Sequence, residues 1–343
     1  MSRSRPRPPD LRGTRPMPRP IDDTGLVTDP ASIPATAHAR AVFQGEPGAF
    51  SEEAAIAAFG VDRVAAGGAV PTWRAVFEAV AEGSADAGVV AIESSLAGTI
   101  RETYDLLDEF YDLGVRIVGE VTVPVRLALL ALPGQSIEGI DRVYSHAQAL
   151  VQADAFLRSR DWQVMTTYNT AGAARLIAEK RERRAAAIAS PRAAELYGLD
   201  ILANDIQSGD DNRTRFAVLA RDASESFPGG GASDGPGAQV GAGAGGDGAG
   251  SERVLAGRRT TLVFAVRNVP GSLHRSLGAF AARGVNLSRL ESRPTRRARW
   301  EYVFWVDADA DASDPACAAA LEELRGETEM VRILGSYPRA AED

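Results

Sequence analysis

Thr214 stands between two arginines in the run Asn212–Arg213–Thr214–Arg215–Phe216, directly before an apolar stretch. A hydroxyl held among cations can aim a hydrogen bond at developing negative charge. A threonine that merely opens a strand is the ordinary alternative, because Thr is a common strand former. An anion-binding cleft beside it would separate the two readings. Three further hydroxyls recur in one local pattern of strand, then Ser or Thr, then helix: Ser145 before "HAQAL", Thr170 before "AGAARL" and Ser190 before "PRAAEL". Each alone is a capping residue whose oxygen accepts an N–H of the first turn. Pro191 suits the first helical position, where its missing N–H leaves nothing unsatisfied. Together they gather helix amino ends and hydroxyls on the carboxyl edge of an α/β sheet, where a small carboxylate or phosphate binds. The segment "AIESSLAGTI" adds Glu93, Ser94 and Ser95 at another strand end, as a cap for the next turn or as ligands to a substrate hydroxyl. His146 likewise has two readings: a general acid that titrates near neutrality, or a packed or surface histidine at a helix start.

These residues need elements to position them. "ADAGVVAIES", "RIVGEVTVPVRLALLAL", "DRVYS", "QVMTTYN" and "AAAIAS" read as strands. "SEEAAIAAFG", "PTWRAVFEAVAEG", "HAQALVQADAFLRS", "TAGAARLIAEK" and "SPRAAELYG" read as helices, several ending at glycine. Such alternation predicts an α/β sandwich with mainly parallel sheets over residues 41–222. A second module, 258–338, reads β-α-β-β-α-β, the ferredoxin-like order, and its alternating "WEYVFWV" predicts a sheet with one face packed and one exposed. Between them, 223–257 is a Gly/Ala/Ser-rich linker. It holds a G-x-G-x-x-G match at Gly241, Gly243 and Gly246 that lacks the preceding strand and following helix a nucleotide loop needs. Residues 1–40 are rich in Arg and Pro without an apolar core, and read as a disordered tail rather than a secretory signal.

Composition removes several function classes. A net charge of -8 over 343 residues argues against a general nucleic-acid binder. Cys317 is the only cysteine, so no intrachain disulfide forms, and His38, His146 and His274 are too dispersed to suggest a metal site. No apolar stretch approaches the roughly 20 residues that span a bilayer.

In order, "FQGEPGAFSEEAA", "AIESSLAG", "YSHAQAL", "NTAGAA", "AAIASPRAAELYGLDIL" and "NRTRF" resemble the prephenate dehydratases and the similar arogenate dehydratases. After the linker, "PGSLHRSLGAF" and "LESRP" resemble the ACT regulatory domain of the same enzymes. The resemblance implies a two-lobed catalytic body like a type II periplasmic binding protein, with lobe one at 41–123 and 208–222 and lobe two at 124–207. The ferredoxin-like module becomes the ACT domain, followed by a short tail, 339–343. It also implies a cytoplasmic or plastidial enzyme of phenylalanine biosynthesis, a homodimer or dimer of dimers, with no metal or organic cofactor. The substrate would be prephenate or arogenate and the effector L-phenylalanine, bound at the dimer interface.

Carried onto this chain, the T-R-F motif falls on Thr214, Arg215 and Phe216, with Thr214 as the catalytic hydroxyl. The I-E-N-S motif falls on Ile92, Glu93, Ser94 and Ser95, with Ser94 where Asn is usual. Ser145, His146, Gln148, Thr170, Ser190 and Asn212 are the expected substrate contacts, and Ala147 replaces the usual Pro after His146. Arg215, as a bidentate guanidinium, is expected on a substrate carboxylate. In the ACT domain, Gly271, Ser272 and Leu273 together with Glu291, Ser292, Arg293 and Pro294 match the segments that hold phenylalanine, Ser272 standing for the usual Ala. A non-catalytic amino-acid sensor or small-anion binder is the rival class, since fold does not fix function.

Overall fold

The computed structural model describes residues 40–209, 211–221, 257–294 and 302–340. Residues 1–39 of the N-terminal tail, 223–256 of the Gly-rich linker with Gly241, Gly243 and Gly246, and 341–343 of the C-terminal tail lie outside the described residues.

Three sheets organise the chain. The first runs β2 (Gly68–Val70), β1 (Ala41–Gln44), β3 (Ala87–Ser94), β11 (Arg213–Arg221), β5 (Val115–Pro124), with β4 (Gly98–Thr99) paired on β3. Helices α1 (Phe50–Phe59), α2 (Val61–Gly67), α3 (Trp73–Glu82) and α4 (Arg101–Glu109) cover its faces. The second runs β10 (Asp200–Ala203), β6 (Ala128–Ala131), β9 (Ala185–Ala189), β7 (Arg142–His146), β8 (Gln163–Thr167), with α5 (Ala147–Gln152), α6 (Asp154–Arg158), α7 (Thr170–Lys180) and α8 (Pro191–Tyr197). The third is antiparallel, in the order β13 (Leu287–Pro294), β14 (Tyr302–Ala308), β12 (Arg258–Ala265), β15 (Met330–Pro338), with α9 (Ser272–Ala281) and α10 (Pro315–Glu327) on one face.

The first two sheets are parallel through β2-β1-β3 and through β9-β7-β8, but each contains an antiparallel strand: β11 against β3 and β5 in one, β6 against β9 and β10 in the other. Two of the expected elements divide. The apolar run from Val115 to Ala131 is two strands, because Val125–Leu127 carries the chain from the first sheet to the second. The helix expected over "HAQALVQADAFLRS" breaks at Ala153 into α5 and α6. Strand β1 and helix α4 have weak local signals and were not anticipated. In α4, Arg, Glu and Asp outweigh the apolar residues, yet Tyr104, Leu106 and Leu107 are buried on one side.

The third sheet is not open on one face. Its helix-free face packs on the first lobe, where Val263, Trp305, Leu334 and Tyr337 share a core with Ile117, Leu106 and Leu107. The Tyr104 ring meets Trp305 edge-on, with centroids 5.0 Å apart. Strand β15 crosses β5 at backbone contact, and a Cβ on Gly335 would collide with the carbonyl of Ile117. Both faces of β14 are therefore covered, whereas alternation alone predicts one exposed face.

Candidate active site

The carboxyl edges of the two lobes' sheets face each other. In the first lobe, β1 and β3 end there, and the loop after β1 leads into α1. In the second, β7, β8 and β9 run parallel and feed α5, α7 and α8. Every hydroxyl singled out between strand and helix thus reaches one edge, as the order of elements requires.

The two edges are tied by side chains. Ser190 Oγ donates to the Gly48 carbonyl at 2.7 Å and accepts from Ala193 N at 3.1 Å, so it caps α8 and holds the opposite lobe at once. Tyr197 donates to the Pro47 carbonyl at 2.8 Å, and Arg192 Nε lies 2.8 Å from Glu52 Oε2. Glu46 accepts from Tyr168 at 2.5 Å and pairs with Arg175 at 3.1 Å. Gly48 has a φ of +86°, and a Cβ there would sit 3.0 Å from Ala193 Cα. Glycine is needed at this position for both reasons. Glu53, in the first turn of α1, is pushed up to about 7 by burial, while hydrogen bonding to Ser190 and the charge of Arg192 oppose the shift.

Thr214 lies on the same edge. Strand β11 keeps unbroken register with β5 from Arg213 to Val218, so its side chains alternate. Phe216 and Val218 pack with Phe43 and Ala54, whereas Ala217 and Leu219 pack with Phe77 and Trp305. Thr214 therefore faces the α1 side and Arg215 the ACT side. Thr214 pairs with Ser94 at the carboxyl end of β3, and its hydroxyl makes no hydrogen bond to another described residue. Asn212, two residues earlier, is 3% exposed, and neither its Nδ2 nor its Oδ1 has a partner among the described residues. An unsatisfied buried amide of this kind costs about 1–3 kcal/mol per group, which a polar ligand can offset.

The other expected residues divide into supports and exposed groups. Ser94 Oγ accepts from Leu96 N and Ala97 N at 3.3 and 3.2 Å, a turn role that a serine fills in place of asparagine. Ser95 Oγ donates to the Asp211 carbonyl and accepts from Arg213 N, both at 3.0 Å, clamping the segment that carries Thr214. Phe216 is core. Ser145 is fully buried and donates to the Ile188 carbonyl at 2.6 Å, tying β7 to β9. The cap of α5 is His146 rather than Ser145: its Nδ1 accepts from Gln148 N at 3.3 Å, which leaves Nε2 to carry the proton. Desolvation holds the His146 imidazole below its ordinary value of 6.5, so it is neutral at pH 7. The cap of α7 is Asn169, accepting from Gly172 N at 2.5 Å, and Thr170 is the first helical residue. Gln148 is exposed in the first turn of α5.

Arg215 is placed differently from expectation. Its guanidinium lies 2.7 Å from Glu93, 3.1 Å from Glu120 and 2.9 Å from Asp307 of the third sheet. Burial alone would lower its pKa, but Asp307, Glu120 and Glu93 outweigh it and raise it. Three carboxylates occupy the fork expected to hold substrate. Glu46, Glu52, Glu53, Glu120 and Asp307 were not singled out from the sequence. The tandem Glu52–Glu53 in a first helical turn was the one visible signal.

The expected effector residues split between two places. Gly271, Ser272 and Leu273 line a cavity of about 300 Å³ with Val269, Tyr302 and Phe304. Ser272 Oγ is already used, donating to the Val269 carbonyl at 3.0 Å. Glu291 instead accepts from Thr99 at 2.6 Å, and Arg293 pairs with Asp105 at 2.8 Å, both toward the first lobe. Ser292 and Pro294 are exposed on the alternate positions of β13.

The family model for prephenate dehydratase matches residues 41–224 and that for the ACT domain matches 260–326. The chain belongs to the prephenate/arogenate dehydratase family. It is 36% identical over 333 residues to arogenate dehydratase/prephenate dehydratase 2, chloroplastic, of Arabidopsis thaliana, covering 94% of this chain and 78% of that protein. The prephenate dehydratase of Arthrobacter aurescens, solved with L-Phe, is 32% identical with a TM-score of 0.68, covering 88% of this chain and 90% of that one. A solved quorum quenching acylase is 32% identical with a TM-score of 0.69, covering 88% and 98%. The dehydratase family acts in aromatic amino-acid biosynthesis and carries its regulation in the ACT domain, so the α/β body here is the dehydratase body and the third sheet the ACT domain. No described helix is long and apolar enough to cross a membrane.

Proposed function

We propose that the protein is a prephenate dehydratase, converting prephenate to phenylpyruvate in phenylalanine biosynthesis, with arogenate as the alternative substrate. The observation that carries this is Thr214: a hydroxyl without a partner among the described residues, at the edge where both lobes present strand ends and helix starts. Prephenate is a dianion with a ring carboxylate opposite a ring hydroxyl. The bond to that carboxylate breaks, carbon dioxide leaves, and its electron pair enters the ring as the C–O bond to the hydroxyl breaks. The departing oxygen takes one proton and becomes water. The product is aromatic, so the reaction is strongly downhill.

The protein has two tasks, to hold two carboxylates and to stabilise the departing oxygen. The amino ends of α1 and α7 carry the partial positive charge suited to the first. Thr214 is too weak an acid to release a free proton at neutral pH, and acts as a donor aimed at charge that grows in the transition state. The neutral His146, with Nε2–H available, is a second donor, and Asn212, Gln148 and Thr170 are the remaining polar groups for substrate. Arg215 supports the strand from behind rather than holding a carboxylate. Of the acidic residues at the seam, Glu46 and Glu52 are already matched by Arg175 and Arg192. That arrangement suits the keto group of prephenate better than the ammonium of arogenate.

In the ACT domain, L-phenylalanine is the expected effector. The cavity beside Gly271 and Leu273, with Tyr302 and Phe304, offers an apolar wall for its ring. Glu291 and Arg293 are engaged with the body of their own chain, so any contribution of β13 to this site comes through Ser292 and Pro294. A dimer or dimer of dimers fits this division. Incubation with prephenate and with arogenate, followed by assay of phenylpyruvate and phenylalanine, tests the function. Phenylpyruvate from prephenate is expected; no product from either substrate would favour a sensor.

A further inference from the structure

Asp307 of the ACT domain reaches the catalytic strand directly. Thr214 and Arg215 are neighbours on β11 with opposite facings, and Asp307 Oδ2 lies 2.9 Å from Arg215 Nη2. Asp307 is itself fixed. It is 1% exposed, and its other oxygen accepts from Thr261 Oγ1 at 2.7 Å, which in turn shares a 2.7 Å hydrogen bond with the Tyr337 hydroxyl. Arg259 completes the group from the ACT side, donating to both oxygens of Glu120 at 2.9 and 2.8 Å.

A cavity of about 300 Å³ lies between the domains at this point, lined by Arg213, Arg215, Arg259, Arg289 and Arg339. It is not an anion site, because each arginine faces a carboxylate: Asp211, Asp307, Glu120, Glu291 and Asp309 respectively. It is a polar seam in which every one of these charges is matched, two of the pairs, Arg215–Asp307 and Arg259–Glu120, crossing between the domains. A buried pair of this sort tolerates no half-measure, since removal of one partner strands the other without compensation. Elsewhere the domains are joined by pairs remote from β11, such as Arg332 with Asp108 at 2.8 Å and Asp112 at 2.9 Å.

We propose that Asp307 is a positioning residue: by holding Arg215, it lets the ACT domain set the place of Thr214, so that movement of the ACT sheet against the body reaches the cleft through this ion pair. The inference rests on Thr214 as the reactive hydroxyl. The physical route is short. Arg215 is covalently next to Thr214, and a displacement near 1 Å in a reacting group lowers a rate by as much as about 100-fold.

The test compares the full-length protein with Asp307→Asn, Asp307→Glu and Arg332→Gln. Two readouts are taken: amide hydrogen exchange of the segment 211–217, and kcat and KM on the substrate turned over. Asp307→Asn is expected to lose protection in that segment and to lower kcat roughly tenfold or more with KM nearly unchanged. Asp307→Glu, which keeps the charge, is expected to fall between it and wild type, and carries the test if Asp307→Asn does not fold. Arg332→Gln loosens the same docking away from β11, and is expected to leave both readouts near wild type. Asp307 variants that match wild type, or an Arg332→Gln that exposes 211–217 equally, would overturn the proposal. Wild-type protein without turnover of either substrate would refute the proposed function, while the exchange contrast still decides whether Asp307 holds the strand.

Discussion

Ser190 Oγ lies 2.7 Å from the Gly48 carbonyl, so one hydroxyl both caps a helix in the second lobe and fastens a loop of the first. The contact that closes this loop against the second lobe is tight, since a Cβ on Gly48 would lie 3.0 Å from Ala193 Cα.

Gly48→Ala is expected to disturb that closure. The substitution places a side chain at a φ of +86° and against Ala193 Cα. The backbone strain alone costs about 1–3 kcal/mol. A lower unfolding midpoint together with a raised KM is the expected result, measured by thermal unfolding and steady-state kinetics. A variant with wild-type midpoint and KM would mean that the lobes do not need this contact.

Glu53 makes stability depend on pH. Its carboxyl has a pKa of about 7 when folded against 4.5 ordinarily, first through burial and then through the neighbouring charges of Glu52 and Glu195. The folded protein therefore holds this proton more tightly than the unfolded chain does. Its contribution to stability is greatest below pH 4.5, declines as pH rises toward about 7, and is level above that. Glu53→Gln is expected to remove this decline and to be relatively more stable at pH 8 than at pH 5. Unfolding midpoints across that range check it, and parallel curves for the two proteins would contradict it.

Ser272 departs from the family's alanine but bonds inward to its own loop. Ser272→Ala is expected to leave the response to L-phenylalanine within about twofold and to lower stability by about 1 kcal/mol, the net value of one hydrogen bond. Titration of the effector against activity measures the first. A response altered tenfold would place the hydroxyl on the effector itself.

Much of this was legible in the sequence, and the rest was not for identifiable reasons. Alternation of strand and helix put Ser145, Thr170 and Ser190 at one edge, because element order alone determines which ends of the strands meet. Ser190 could be read as a cap, but its second partner is a backbone carbonyl 142 positions away, and no local pattern marks it. In "YNTAG" both Asn169 and Thr170 suit a cap, and the choice of Asn169 depends on backbone angles fixed by the preceding strand. Arg215 was legible as a cation beside a hydroxyl. Its direction was not, because alternation on β11 distinguishes two faces but does not say which one the ACT domain covers. The same docking, seen from the other side, explains why "WEYVFWV" suggested an exposed face that the structure does not have: the first lobe covers it.

The central claim is that the hydroxyl of Thr214 acts on the departing oxygen. Turnover of prephenate and arogenate by Thr214→Ala, Thr214→Val and Thr214→Ser, with substrate varied to separate kcat from KM, tests it most directly. Loss of one hydrogen-bond donor to transition-state charge lowers kcat by about 100-fold to 1,000-fold. Thr214→Ala and Thr214→Val are expected to show that loss with KM little changed, while Thr214→Ser keeps substantial activity. Near-normal turnover by Thr214→Ala, or equal damage from Thr214→Val and Thr214→Ser, would contradict the claim.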